Sequence, residues 1–389
     1  MGNMNLESII FELSVIVVSA AVLGTLFLYA RQPILIAYIA IGILVGPSGL
    51  ALIQRTDHIE QIAHLGVILL LFLIGLNLQP RKLIGLFRKM FWLTLGTSLL
   101  FGGVSAFFAS LLGFSLQGAL IFGAAMMFSS TVVALKLIPI TTLHQQRTGE
   151  VMTSVLLLQD MLAILVILYL TGEKSGPVLV TFGLLSAKFA LLGLGAFAGV
   201  RFVMIPLLTR FDVVQEYTFL ATLAWCLLWA GAAHLLGLSY EIGAFVAGLS
   251  IASCPVAIAI AEHLKPLREF FLILFFFAIG SRLDFRMDPH LLTAAILFGI
   301  LIVPFKAGIF HLAFRRIGES RPLRKELAVR LAQSSEFSLL VAFTAITFED
   351  ISSDEGMVIQ IATIVTFILS TYWVVLTYPT PISHPPSRR

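Results

Sequence analysis

The sequence predicts an all-α polytopic membrane protein of about thirteen transmembrane helices, with inverted repeats and two broken helices that cross. Three observations carry that expectation. The 389 residues are 59% hydrophobic and only 12% charged, and their mean hydropathy of +1.00 lies outside what a soluble domain of this size sustains. The apolar runs are about 20 residues long, the length a helix needs to cross a bilayer, whereas a β-barrel would alternate in segments of about ten. Two of these runs are interrupted at mid-depth by similar polar clusters.

Cutting the chain at Pro, Gly and charge clusters gives the spans in order. The first, 9–29, follows an N-terminus, Met1 to Glu7, with neither a basic segment nor a small-residue cleavage site, so it reads as retained and not as a signal peptide. Arg31 separates it from 34–53. The span 62–78 closes before Pro80 and the basic cluster Arg81, Lys82, Arg88 and Lys89, beyond which come 89–113 and 116–138. After Arg147 follow 150–171, 179–205, 216–236 and 240–261; a short tenth run, 267–281, starts at the Lys265 and Arg268 cluster. The last three are 291–313, 326–348 and 356–377.

Basic residues orient this array. With the N-terminus outside, the inner loops hold Arg31, the Arg81–Lys89 cluster, Arg147, Arg210, Lys265, Arg268, Arg315, Arg316, Arg321, Arg324, Lys325, Arg388 and Arg389, against Arg55, Lys174, Arg282 and Arg286 outside. The excess of Lys and Arg on one side puts the C-terminus in the cytoplasm. The same scatter through short loops accounts for the formal charge of +4 without any nucleic-acid surface. Cys226 and Cys254 both fall in apolar runs and read as buried small hydrophobes, not as a disulfide.

The candidate chemistry lies at mid-span. Asp160, in the apolar run 150–171, costs about 2.5–3.5 kcal/mol to insert, which makes an ion or proton role its default reading. Its neighbour Gln159 offers a neutral carbonyl ligand or simply packs. Ser129-Ser130-Thr131 and Ser334-Ser335-Glu336 break two runs that are seven spans apart and so run in opposite directions. That is the mark of an inverted repeat whose broken helices meet near the membrane midplane. Half-helix ends there carry partial charges of both signs, and Lys306 and Glu336 are candidates to compensate them. Lys306 would face Asp160, Glu336 or a helix C-terminal end. Lys136, Lys188, Arg201 and Arg330 lie nearer span ends, where snorkelling or structural pairing suffices. His234 and Asn77 read as interhelical hydrogen-bonding groups or members of a proton path. The small-residue run 193–199 reads as helix packing, and no metal-ligand cluster or nucleophile triad stands out.

Seven stretches carry a resemblance over nearly the whole chain: residues 37–50, with Gly46-Pro47-Ser48-Gly49; 65–78 with Pro80; 128–133; Leu158-Gln159-Asp160; 243–248; 275–280; and 331–337. In that order they resemble the monovalent cation:proton antiporter-2 family, and within it the Kef-type potassium/proton antiporters. The resemblance implies a homodimer in the bacterial inner membrane. A core part around 89–171 and 291–377 would move like an elevator against a dimerisation part made of the remaining helices, all within one transport domain. It implies that Asp160 binds cation or proton, that Thr131 and Ser130 help coordinate, and that Lys306 with Glu336 balances the crossing. Gln159 beside Asp160, where sodium-selective relatives carry two acids or Asn-Asp, implies K+ over Na+ and one-for-one exchange.

Two features depart from the pattern. Asn77 stands where relatives carry Glu. Only residues 378–389 follow the last span, so a cytosolic nucleotide-binding domain is missing from this sequence or regulation comes from a separate subunit. No cofactor is expected and no enzyme activity; the monovalent cation is the substrate. The rival readings are a channel-like gated K+ efflux pathway and a sodium-coupled solute symporter.

Overall fold

The computed structural model describes residues 3–30, 32, 34–47, 49–53, 57–77, 80–137, 143–171, 178–211, 215–252, 254, 257–283 and 287–380. Among them every regular element is helical. Helices α1 (Asn3–Tyr29), α2 (Ile34–Val45), α3 (Asp57–Asn77), α4 (Pro80–Leu111), α5 (Leu116–Met126), α6 (Thr131–Lys136) and α7 (Leu143–Thr171) form the first half. Then come α8 (Val178–Gly199), continued through a π turn (Val200–Met204) into α9 (Ile205–Arg210), and α10 (Gln215–Leu235), α11 (Tyr240–Ile251) and α12 (Ala257–Arg282). The chain closes with α13 (Pro289–Arg316), α14 (Arg321–Arg330), α15 (Glu336–Thr347) and α16 (Ser353–Thr377). Seven of these helices are long and apolar enough to cross a membrane, and five shorter apolar ones accompany them.

The expected spans reappear with three corrections. The run 34–53 holds a helix only to Val45, because Gly46-Pro47 ends it and the chain folds back: the Leu50 amide bonds the Leu44 carbonyl at 2.7 Å and Ile53 bonds Val45 at 3.2 Å. The run 240–261 likewise stops at Ile251, whose carbonyl takes the Cys254 amide at 2.7 Å; Pro255 has no N–H with which to continue the ladder. The tenth helix is not short. It begins at Ala257 and runs 26 residues through Pro266, about 39 Å at 1.5 Å per residue. The carbonyl that Pro266 leaves without a donor belongs to Glu262, which is exposed and so has another outlet. Arg31, Arg55, Lys174, Arg286, Arg388 and Arg389 lie outside the described residues, as do Ser48 and Leu78 and the side chains of Asn77, Arg81, Lys82, Arg88, Lys89, Lys136 and Arg282.

The chain divides into two compact units: residues 1–54, 84–166 and 279–389, and residues 55–83 and 167–278. In the first, Arg147 at the start of α7 pairs with Glu319 beyond α13 at 3.0 Å, while Gln117 at the start of α5 bonds Asp350 beyond α15 at 2.7 Å. The helix ends thus sort to two faces, and α5–α6 runs antiparallel to α14–α15. Capping sets the starts: Ser115 accepts from the Gly118 amide before α5, and a Ser352–Glu355 capping box opens α16.

The second unit is built on α3 against α11. Gly75 lies on the backbone of Phe245 and Leu249, and Gly248 on the backbone of Phe72 and Leu76. Small residues let helices approach this closely in a bilayer, where packing and not water expulsion holds them. His64 and Glu241 pair across the same two helices at 2.7 Å, His234 stacks on Tyr240 at 4.3 Å, and both cysteines are buried and free. Since a Cβ at position 248 would strike the Phe72 carbonyl, Gly248→Val is expected to destabilise the fold by about 1–3 kcal/mol or more. The midpoint of detergent-induced unfolding reads that loss.

Candidate functional site

Both polar interruptions are breaks in the helical backbone. Helix α5 ends at Met126 and α6 begins at Thr131; helix α14 ends at Arg330 and α15 begins at Glu336. Local chemistry explains why the backbone restarts where it does. Ser130 accepts from the Val133 amide at 3.0 Å and so caps α6. Ser335 caps α15, accepting from the Phe337 amide at 3.1 Å, and Ser338 closes the capping box by accepting from the Ser335 amide at 3.2 Å. Hydroxyls that interrupt an apolar run therefore serve as the start signals of its second half.

The two breaks are tied to each other. The Ser129 hydroxyl donates to the Leu331 carbonyl at 2.8 Å, the Gln333 amide nitrogen donates to the Ser130 carbonyl at 3.3 Å, and the Ser338 hydroxyl donates to the Ala125 carbonyl. Helix α16 backs the second break: the Thr366 hydroxyl accepts from the Ser334 amide at 3.0 Å, and Ser370 donates to the Gln333 side-chain oxygen at 3.0 Å. The Ser334 hydroxyl lies 3.6 Å from the Met126 sulfur.

Lys306, on α13 and fully buried, takes the last of the three positions open to it in the sequence. Its ammonium donates to the carbonyls of Phe128 at 2.7 Å and Gln333 at 3.0 Å, with Met126 at 3.4 Å. It thus meets the C-terminal end of α5 and the second break at once. The ring of Phe101 lies 5.2 Å away, adding a cation–π contact.

Asp160, on α7, is 2% exposed. The Thr131 hydroxyl sits 3.3 and 3.2 Å from its two oxygens, at the first turn of α6. The Glu336 carboxylate is itself buried, in the first turn of α15. Each restarted half-helix therefore has an acid beside its N-terminal turn, where unpaired backbone N–H groups favour negative charge. Gln159 is used as a strut: its oxygen accepts from the Ser129 amide at 3.0 Å, and its nitrogen reaches the Ser98 hydroxyl and the Met127 carbonyl, both at 3.3 Å.

Eight residues singled out from the sequence for the site, Ser130, Thr131, Gln159, Asp160, Lys306, Ser334, Ser335 and Glu336, gather with Ser129 at the two breaks in the first unit, whereas His234 lies in the second. Sequence reasoning passed over Ser98, Gln333, Ser338, Thr366 and Ser370. The spacing of Thr363, Thr366 and Ser370, one helical face of an apolar run, was the available signal. Arg330 proves to be structurally paired. It is 1% exposed, bonds Glu326 at 2.9 Å, and donates to the carbonyls of Leu137 at 2.7 Å and Pro379 at 3.1 Å. Among the described residues no group of three or more His, Cys, Asp or Glu could hold a metal ion.

Antiparallel helices broken at the same depth, clamped by a lysine and flanked by a buried acid, define a secondary transporter of the crossed-helix type. The transmembrane sodium/hydrogen exchanger family matches residues 16–377, and the chain belongs to it, as the likeness to the Kef-type antiporters implied. It is 32% identical over 86% of its length to K(+) efflux antiporter 4 of Arabidopsis thaliana, of which it spans 58%. It is 27% identical over 92% of its length to a protein of Paramagnetospirillum magneticum named iron transporter MagA, of which it spans 83%. The fold matches the sodium proton antiporter MjNhaP1 of Methanocaldococcus jannaschii with a TM-score of 0.72 and 17% identity, covering 95% of this chain and 96% of that one.

Replacing Lys306 by Met keeps the side chain's bulk but strips donors from buried carbonyls, and is expected to cost about 3–5 kcal/mol. Gln159→Leu, which removes neutral hydrogen bonds, should cost less, about 1–3 kcal/mol. Thermal unfolding of the two purified variants in detergent gives the order; equal losses would contradict the clamp.

Proposed function

We propose that the protein exchanges K+, or with lower preference Na+, for H+ by alternating access, cation and proton competing for Asp160. The observation that carries this reading is the company Asp160 keeps. Its carboxylate is buried against a neutral hydroxyl, while the ammonium of Lys306 is taken up by carbonyls. A charge placed so in a membrane is costly, so the carboxylate is best matched by a cargo cation or by a proton.

Asp160 and Thr131 supply the hard oxygens for an alkali ion, while the carbonyls of Met126, Met127, Phe128 and Ser130 at the first break are engaged by Lys306, Gln159 and Gln333. Ser130 shapes that break as the cap of α6, and Gln159 holds it open. The loaded and the protonated site are each compensated and cross; the empty charged site does not, which couples the two fluxes. If Glu336 keeps one protonation state through the cycle, exchange is one for one. K+ is favoured because a neutral Gln159 stands beside Asp160. The site-bearing helices, 89–171 and 291–377, would move as a body against the remaining helices, which would join two copies of the chain in a bacterial inner membrane with the N-terminus outside. Regulation would come from a further cytosolic region or a separate subunit, since the plant relative is longer than this chain. The carboxylate-and-hydroxyl donor set suits an alkali ion better than iron.

In proteoliposomes with a trapped pH dye, K+ is expected to dissipate an imposed proton gradient, Na+ less well, and Asp160→Asn to abolish the exchange. Because the proton competes, the half-saturating K+ concentration should rise about tenfold per unit fall in pH on the acid side. Cation flux without proton movement would establish a channel instead, sodium-driven solute uptake a symporter, and Fe2+ uptake without alkali exchange a metal carrier. Exchange that persists in Asp160→Asn would remove the coupling site.

A further inference from the structure

We propose that the first unit carries a built-in site for one acyl chain of a phospholipid, in a groove between α1, α2 and α16, with the lipid's ester held by Gln32. The groove encloses about 410 Å³, within the range of ligand pockets, about 300–1,000 Å³. Phe27 and Ala30 of α1, Ile36 and Ile43 of α2, and Ile364 and Ile368 of α16 are among the residues that line it. Among the described lining residues, the polar side chains are the Gln32 amide and the Tyr372 phenol.

Gln32 makes this a site and not a seam. It is 5% exposed, and both polar atoms of its amide are buried with no hydrogen-bond partner. A donor and an acceptor buried without partners are costly. An apolar groove alone holds a lipid poorly in a bilayer, because the tail leaves equally apolar surroundings; an orphaned amide supplies the missing preference. The groove runs along α2 from Gln32 to Ile43, roughly 16 Å at 1.5 Å per residue, which is about half of the 30 Å hydrocarbon thickness. Its one amide sits at the α1–α2 junction, where the chain turns between two apolar helices. Length, lining and polar end are those of one tail of one leaflet, with its glycerol ester at the amide.

The position also links the occupant to the transport site. On α16, Ile364, Ile368 and Tyr372 face the groove, while Thr366 and Ser370 hold the second break. A tail in the groove therefore braces the opposite face of the helix that supports residues 333 and 334. This inference stands whether or not the cargo is K+.

The test is photolabelling of the full chain in nanodiscs of phosphatidylethanolamine and phosphatidylglycerol, doped with a phosphatidylglycerol carrying a diazirine on one acyl chain. Peptides from residues 24–45 and 360–378 should be labelled above the lipid-facing α10. Gln32→Met should lower that excess about fivefold, the worth of one hydrogen bond; Ala40 also lines the groove, and Ala40→Leu, which fills it and leaves the amide, should lower the excess as well. No excess in the wild type, or an excess unchanged in both variants, overturns the proposal. Labelling by diazirine-palmitic acid in place of the phospholipid probe overturns the phospholipid as occupant.

Discussion

The crossing depends on one ammonium. Broken helices expose carbonyls at a depth where no solvent can meet them, and each unsatisfied group there costs several kcal/mol. Burying a lone ammonium is also expensive, again several kcal/mol after relaxation. Hydrogen bonds to a charged group return about 1.5–3 kcal/mol each, so a single carbonyl would not offset the burial of Lys306, whereas bonds to Phe128 and Gln333, helped by Met126 and the Phe101 ring, can. Two liabilities of the same depth cancel each other. The bonds of this lysine satisfy carbonyls of both breaks and leave the acid on α7 to Thr131.

That balance leaves the opposite ends of the half-helices to the acids. Thr131 links Asp160 to the start of α6, and Glu336 occupies the start of α15. Positive and negative side chains are thereby separated by the geometry of the breaks, each next to the backbone ends of opposite sign. A direct lysine–aspartate pair would have consumed both charges. Here hydroxyls do the stitching instead, those of Ser129, Ser338 and Thr366 to the backbone of another segment and that of Ser370 to the Gln333 side chain, so the framework does not draw on the carboxylate.

Much of this was legible. Ser129-Ser130-Thr131 and Ser334-Ser335-Glu336 stand out because small polar residues inside an apolar run cannot turn to water, and their opposed spacing fixes antiparallel breaks. Asp160 stands out for the same reason. What escaped depends on distant register. Gln159 could equally have been a ligand until its partners, Ser98 and the carbonyl of Met127, were brought beside it from another helix. Lys306 had three possible partners, and only the packing of α13 against both breaks chooses among them. Thr366 was hidden because hydroxyls in membrane helices ordinarily bond back to their own helix, and Thr366 does, donating to the Thr363 carbonyl at 2.7 Å; its second role is as an acceptor. The ends of α2 and α11 were misjudged because hydropathy runs on through Gly46-Pro47 and past Ile251, while the backbone does not.

Arg330 has a mechanical meaning beyond its burial. One guanidinium fastens the end of α6, through Leu137, to Pro379, just beyond α16, and its own helix position is pinned by Glu326. The planar fork cannot follow one carbonyl without releasing the other. The residue just beyond α16 is thus coupled to the far end of α6, the short helix whose first turn carries Thr131, the hydroxyl partner of Asp160 on α7.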